Sequence, residues 1–259
     1  MIKKHENYKE LVLRLAKTDF KLRYHGSALG YVWAILKPLL MFSILNFVFS
    51  SLFNFRNSGT PLYPLELLTS LLLFNFFSEG TMSGMSSLLS KAQLVTKIYI
   101  PRWTIVLSST INALFVFGMN LIVLVLFFFI YHVAPTFSGV LMFFLYAVFL
   151  YILIIAFSFL TAPLYVRFRD LSMIWEVLLT VLLYSAPIIY PLSMMPLNIQ
   201  QIILWNPLAY VIHFAKDGLI SNNYALSGHT LVVFAGILAL AFISFSIFRK
   251  AEKRIAEII

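Results

Sequence analysis

The chain lacks cysteine altogether and is poor in charge: only 11% of its 259 residues are Asp, Glu, Lys or Arg, where a soluble domain carries roughly a quarter. Without cysteine there are no disulfides, no thiolate metal sites and no Cys nucleophile. No G-x-x-x-x-G-K-[ST] run occurs, so this chain does not hold ATP in a P-loop. There is no H-E-x-x-H, and His5, His25, His132, His213 and His229 are scattered. The acidic residues form no paired-carboxylate site on one membrane face, where a membrane hydrolase or transferase would concentrate them. No catalytic residue, metal ligand or cofactor is therefore expected in this chain.

What fills the chain instead is apolar: 61% of residues, with 26 Phe, 13 Tyr and 4 Trp and a mean hydropathy of +0.92. A helix needs about 20 mostly apolar residues to cross a bilayer. Six stretches qualify, at roughly 31–53, 65–86, 104–131, 139–163, 173–190 and 230–248. The second carries Glu66 and Glu79 near its ends, and the fifth is short and stops at Pro187 and Pro191. The 29 mostly polar residues ahead of the first stretch show no cleavage pattern, so that stretch is expected to remain in the mature protein.

The net charge of +9 is grouped between apolar runs, which is membrane-flanking charge rather than a nucleic-acid surface. Sixteen of the 19 Lys and Arg lie in the N-terminal arm, the 87–103 and 164–172 connections and the C-terminal tail. The alternate connections hold only Arg56 and Lys216, and Lys37 lies inside the first stretch. That asymmetry predicts cytoplasmic termini and an even number of crossings. The fold expected is all-α: a polytopic integral membrane protein with six transmembrane helices, an N-terminal amphipathic interface helix within 1–29, and re-entrant outer helices between spans five and six.

Three pieces do not span. In the arm, Tyr8, Leu11, Val12 and Leu15 recur at helical spacing with Arg14 and Lys17 mostly elsewhere, an amphipathic helix suited to the cytoplasmic interface. In 87–102, SLLSKAQLVTKIYIPR, Leu88, Ala92, Val95 and Tyr99 recur at helical spacing among Ser90, Lys91, Gln93 and Lys97, and Pro101 stops the run. It is too short and charged to span, so it either lies on the membrane or docks into something cytosolic. The 191–228 connection is apolar but broken at Pro191, Pro196 and Pro207, which predicts two short helices near 198–204 and 208–219 dipping into the outer leaflet.

Inside the spans, Glu79 is costly unless it faces protein or water, and Gly80 and Gly84 after it allow close helix approach. Lys37 can snorkel to the cytoplasmic side. Tyr31, Trp33, Trp103, Tyr131 and Tyr190 sit where interfacial anchors belong. Tyr184, deep in span five, does not, and a ring there could stack sugars without holding them tightly.

RYHGSALGYVWAILKPLL, LLFNFFSEG, KAQLVTKIYIPR, RFRDL, APIIYPLSMMP, LWNPLAYVIHFAKD and FRKAEKRIAEII follow one another in order. Together they resemble the membrane subunit of ABC-2-type exporters of cell-surface polysaccharide, the O-antigen and wall teichoic acid branch, over nearly the whole chain. The resemblance implies a homodimer in the bacterial cytoplasmic (inner) membrane. Each copy has a six-helix transmembrane domain over 30–259, and two copies of a separate ATP-binding subunit carry the ATP and Mg. It makes 87–102 a coupling helix, with Leu88, Lys91, Gln93, Val95, Lys97 and Tyr99 as ATPase-coupling residues. Leu11, Arg14 and Leu15 belong to the interface helix, and Pro191, Pro196, Trp205 and Pro207 to outer gate helices. Tyr31, Trp33, Phe42, Trp175 and Tyr184 become candidates for the channel wall. Arg23 and Lys37 are candidates for the pyrophosphate of an undecaprenyl-linked substrate. Glu79 departs from the family pattern, where a neutral polar residue is more usual. An ABC-2 exporter of drugs or small lipids shares the architecture. An ion-coupled transporter without an ATPase would show inverted repeats, and none is found.

Overall fold

The computed structural model describes residues 8–24, 26, 29–52, 62–97, 100–223 and 228–255, and every regular element among them is helical. Arg56, Tyr99 and the first seven residues lie outside the described residues, as does the side chain of Val95.

Helix α1 covers Tyr8–Tyr24. Gly26 and Gly30, at φ of +84° and +48°, then turn the chain into α2, Val32–Asn46. Positive φ is open to glycine without the Cβ clash that other residues meet. α2 runs on through a π-helical turn, Phe47–Leu52. Pro64 opens α3, Tyr63–Ser90, at a position where its missing N–H costs nothing. α4 is a short helix, Ala92–Lys97. Pro101 caps the start of α5, Arg102–Ile130. Thr136 caps α6, Phe137–Arg167, its hydroxyl accepting from the Gly139 N–H at 3.1 Å. α7 is Leu171–Ser185.

A 3-10 turn, Leu192–Met194, leads to α8, Leu197–Leu204, and α9, Pro207–Ile220. Asn206 caps α9 by accepting from the Leu208 N–H at 3.0 Å. α10 covers Gly228–Ile255. The two short helices expected between Pro191 and residue 228 are thus present, within a residue of the expected bounds.

Among the described residues, four helical segments are long and apolar enough to cross a membrane: Val32–Ser50, Arg102–Ile130, Phe137–Arg167 and Gly228–Glu252. α7, with 15 residues, reaches about 22 Å at 1.5 Å per residue, short of a hydrocarbon core about 30 Å thick. α3 is long enough at 28 residues but less apolar, and its position explains why. It is wrapped by α5, α6 and α9, with α2 and α7 beside it, so few of its residues face outward. A helix sheathed in protein tolerates Ser, Thr, Asn and Gly that lipid would disfavour. The main core runs along it, from Leu65, Leu68 and Leu72 to Phe76 and Met85 against Phe117, Phe143 and Ile154. A second cluster closes the α4 end of the bundle, with Leu88, Ile105, Phe159, Val166 and Phe248. There Glu252 of α10 accepts from the Arg102 N–H at 2.8 Å, a carboxylate at the start of α5.

The glycine spacing in α3 acts as expected. A Cβ on Gly80 would lie 2.7 Å from Ile154 Cγ2, and one on Gly84 would collide with Ser158 Oγ. These two glycines let α3 and α6 meet at the backbone.

Segment 87–102 is not one helix, which corrects the sequence expectation. α3 continues through Ser90, breaks at Lys91, and α4 begins at Ala92. The apolar periodicity of Leu88 belongs to the end of α3, where Leu88 is fully buried.

Candidate functional site

Two features stand out in this bundle: a polar corner where α1, α3, α4 and α5 meet, and exposed aromatic rings near the start of α2 and the end of α7.

The corner is built on α1. Val12 and Ala16 are buried and Leu11 and Leu15 half-buried, while Arg14 and Lys17 are exposed, so the amphipathic pattern is used to seat α1 on α5. Arg14 pairs with Glu10 one turn back, Nε to Oε1 at 2.9 Å. At the far end of α1, Asp19 pairs with Lys91 and Arg23 with Glu79. Lys91 Nζ also donates to Ser108 Oγ at 3.1 Å and Ser109 Oγ at 3.2 Å on α5. Lys37 of α2 adds its charge beside Glu79.

Glu79, a carboxylate costly within a span, is matched by Arg23, a cation 56 positions away. Arg23 and Lys37, expected to meet an anionic substrate, both stand near this carboxylate. Next to them an open groove is lined by Lys17, Phe20, Lys21, Tyr31, Phe115 and Met119. Lys17 and Lys21 face outward on this rim and were not among the expected substrate-facing residues. Their signal lies in α1 itself, as two lysines one turn apart on its polar face.

The expected coupling residues divide. Leu88 has no exposed surface, and the Lys91 side chain is only 12% exposed and tied to three partners. Neither presents itself to a docking subunit, because both complete the α3 terminus. Gln93 and Lys97 of α4 are exposed, with Thr96 between them.

The expected channel aromatics divide as well. Trp175 is buried, stacked on Phe157 at 3.9 Å between ring centroids, and its Nε1 donates to Thr81 Oγ1 at 3.1 Å. Phe42 is buried edge-on against Phe127 at 5.2 Å. Both pack helices within the subunit. Trp33 and Tyr184 are open, Tyr184 by 58%, whereas Tyr31, though partly exposed, has its ring stacked on Phe20 of α1 at 5.2 Å. Exposed apolar residues flank them on each element: Val32, Leu40 and Ile44 on α2, Phe47 in the π-helical turn after it, and Met173, Val177 and Val181 on α7.

At the opposite end, Lys216 of α9 is buried beside Glu66 of α3, Nζ to Oε2 at 3.8 Å. His213 Nε2 lies 3.6 Å from Asp217 Oδ2 on the same helix. Sequence reasoning saw Glu66 and Lys216 only as isolated charges. The signal was a carboxylate at the outer end of the second stretch and a cation in the 191–228 connection expected on the same side. Of the expected gate residues, Pro191 is buried, Pro196 and Trp205 are exposed, and Trp205 sits edge-on to His229 at 5.2 Å. Pro207 opens α9. Tyr63 of α3 holds the segment ahead of Pro191 by donating to the Ile189 carbonyl at 2.7 Å.

An all-helical bundle with several membrane-length helices, one sheathed polar helix and a basic amphipathic entry helix is a multi-pass membrane protein. Residues 10–220 match the ABC-2 type transporter family, and the chain belongs to that family. It is 30% identical to an O-antigen export system permease protein RfbA of Klebsiella pneumoniae, over 96% of this chain and 95% of the relative. It is 28% identical to an RfbA of Myxococcus xanthus over 74% of this chain and 73% of the relative. A polysialic acid transport protein KpsM of Escherichia coli is 24% identical over 96% of each chain.

Proposed function

We propose that this chain is the permease subunit of an ATP-driven transporter that exports a cell-surface polysaccharide across the cytoplasmic membrane, the glycan being carried on a lipid. The observation that carries this reading is the likeness, across 96% of the chain, to a permease named for O-antigen export. In this reading the chain performs no catalysis: ATP and Mg are held by two copies of a separate ATP-binding subunit, which dock on α4. Two copies of the chain face one another, with α2 and α7 toward the shared path. Each copy crosses six times, α3 and α7 completing the four longer helices, with both termini in the cytoplasm, as the Lys and Arg asymmetry favours. α3 crosses in a protein sheath, and short α7 is extended by the turn through Pro187 and Pro191. α8 and α9 dip into the outer leaflet and close over the path.

Along that path Trp33 and Tyr184 offer ring faces to a sliding glycan, while Tyr31 is stacked on Phe20 of α1. Sugar rings stack on aromatic faces through apolar C–H area while their hydroxyls stay wet, which gives guidance without a trap. Lys17, Lys21 and Lys37 supply cations for the pyrophosphate of the lipid carrier at the entrance, where Arg23 is already engaged by Glu79.

The test is a strain lacking this chain, assayed for surface polysaccharide by gel and for the lipid-linked polymer retained inside. Loss at the surface with lipid-linked polymer accumulating inside is the expected result. An unchanged surface with no retained polymer would overturn it in favour of an exporter of drugs or small lipids.

A further inference from the structure

α1 and α3 are joined chiefly by charge. The apolar side of α1 rests on α5, and two ion pairs reach from it to α3: Asp19 with Lys91, and Arg23 with Glu79. The pairs have opposite sense. On α1 the acid comes first and the base one turn later, about 6 Å on; on α3 the acid precedes the base by twelve residues, about 18 Å. The long Arg23 and Lys91 side chains take up the difference. In the reversed register Asp19 would meet Glu79 and Arg23 would meet Lys91, so like charges would oppose each other. Only one alignment of α1 on α3 satisfies all four groups.

The ends of the two pairs matter as much as their sense. Lys91 is the residue at which α3 stops and α4 starts, and its ammonium also holds Ser108 and Ser109 of α5. One side chain therefore joins α1 and α5 to the α4 corner. Arg23 lies in the last turn of α1, directly before the Gly26–Gly30 turn into α2. Both pairs are partly shielded from water, where salt screens less.

We propose that these two ion pairs form a clasp that stays closed through the transport cycle, so that α1, α3 and the α4 corner move as one body and displacement of α4 is delivered to the α1–α2 turn. Asp19, Arg23, Glu79 and Lys91 are then positioning residues, acting through the helices they join. The proposal rests on α4 being the docking helix for the ATP-binding subunit.

The test uses the full complex of this chain with its ATP-binding subunit. Asp19→Lys and Lys91→Asp are made singly and together, as are Arg23→Glu and Glu79→Arg. For each, retention of the ATP-binding subunit, ATP turnover and export are measured. Single reversals keep the subunit and hydrolyse ATP but lose about tenfold in export, and each double swap regains most of it. Parental export in the single reversals overturns the proposal, and so does an assembled double swap no better than its singles. Failure of the docking reading looks different: Lys97→Glu would then leave both the bound subunit and export untouched.

A neutral variant guards against misfolding. Asp19→Cys with Lys91→Cys gives two thiols in a chain that has no others, so within this chain a short bifunctional thiol reagent joins only that pair, and the parental complex treated alike reports any effect on the ATP-binding subunit. The unlinked protein is expected to export poorly and the linked one to recover. A linked protein that still hydrolyses ATP without exporting overturns the clasp.

Discussion

Gly84 of α3 lies so close to Ser158 of α6 that a methyl group on the glycine would collide with the serine hydroxyl, with Thr110 Cγ2 of α5 also only 3.1 Å from that methyl. Three helices meet at this point, and Ser158 is itself held, its hydroxyl donating to the Ile154 carbonyl at 2.7 Å. Gly84→Ala should therefore force α3 and α6 apart, at a cost of about 1–3 kcal/mol for an overpacked contact. Ser158→Gly in the same chain makes room and should restore most of the loss. Thermal unfolding of the purified protein in detergent reads both. A Gly84→Ala protein as stable as its parent would show that this contact is looser than the structure has it.

α4 presents Gln93 and Lys97 outward, while Leu88 and Lys91 are held in the bundle. Lys97→Glu is expected to leave membrane insertion and protein level unchanged, because an exposed substitution seldom moves stability by more than about 0.5 kcal/mol. It should lower recovery of the ATP-binding subunit on purification and reduce export with it. Leu88→Ala should do the reverse, lowering protein level through a cavity in the cluster around Ile105 and Phe248. Immunoblots of membranes beside an export assay separate the two. Full export by Lys97→Glu at a normal level would remove α4 from the coupling path.

How much of this was legible beforehand depends on how local each signal is. Pro196 and Pro207 stand at the starts of α8 and α9, where a missing N–H costs nothing, so both helices were foreseen almost to the residue. The Gly80–Gly84 spacing, equally local, announced a close helix contact. Facing is another matter. Phe42 and Trp175 are apolar rings on apolar helices, and nothing within one turn of sequence tells lipid or channel from a neighbouring helix. Their burial comes from Phe127, Phe157 and Thr81, on other helices. Arg23, Lys37 and Glu79 were each singled out for a separate reason. Their meeting depends on α1 folding back along α3, a relation with no periodic signature. Segment 87–102 misled because its apolar spacing is continuous across Lys91, where the chain bends to let the lysine reach α1 and α5.

Lys216 is among the most buried charged groups in the bundle, and Glu66 is the carboxylate nearest to it. Removing one member of such a pair leaves the other without a partner in poorly solvated surroundings, which costs about 3–5 kcal/mol. Lys216→Met should therefore destabilise the seat of α9 on α3. Glu66→Gln added to it should recover part of the loss, since it removes one of the two carboxylates, Glu66 and Asp217, that the Lys216 charge offsets. Limited proteolysis of the 191–223 region in membranes, with the single and double variants side by side, is the measurement. Equal resistance in Lys216→Met and its parent would show that the pair contributes nothing to holding α9.

Tyr184 and Phe42 were equal candidates for the channel wall, and their surroundings now separate them. The Tyr184 ring is open on α7, and its backbone carbonyl accepts from the Tyr190 hydroxyl at 3.2 Å, which steadies the end of that helix without using the ring. Phe42 fills space against Phe127. Tyr184→Ala should leave the unfolding midpoint within the small range of surface substitutions while slowing export. Phe42→Ala should do the opposite first, losing about 1–3 kcal/mol as a cavity opens. Surrounding lipid is as apolar as the core, so the cavity rather than the transfer of the ring dominates that loss. Export normalised to protein level therefore falls for Tyr184→Ala and holds for Phe42→Ala. Tyr184→Phe sharpens the result, since it keeps the ring face and drops only the hydroxyl. If Phe at 184 supports parental export and Ala does not, stacking on the ring is what the transported polymer uses. If Ala exports as well as Tyr, the α7 face belongs to helix packing between copies and the path runs elsewhere.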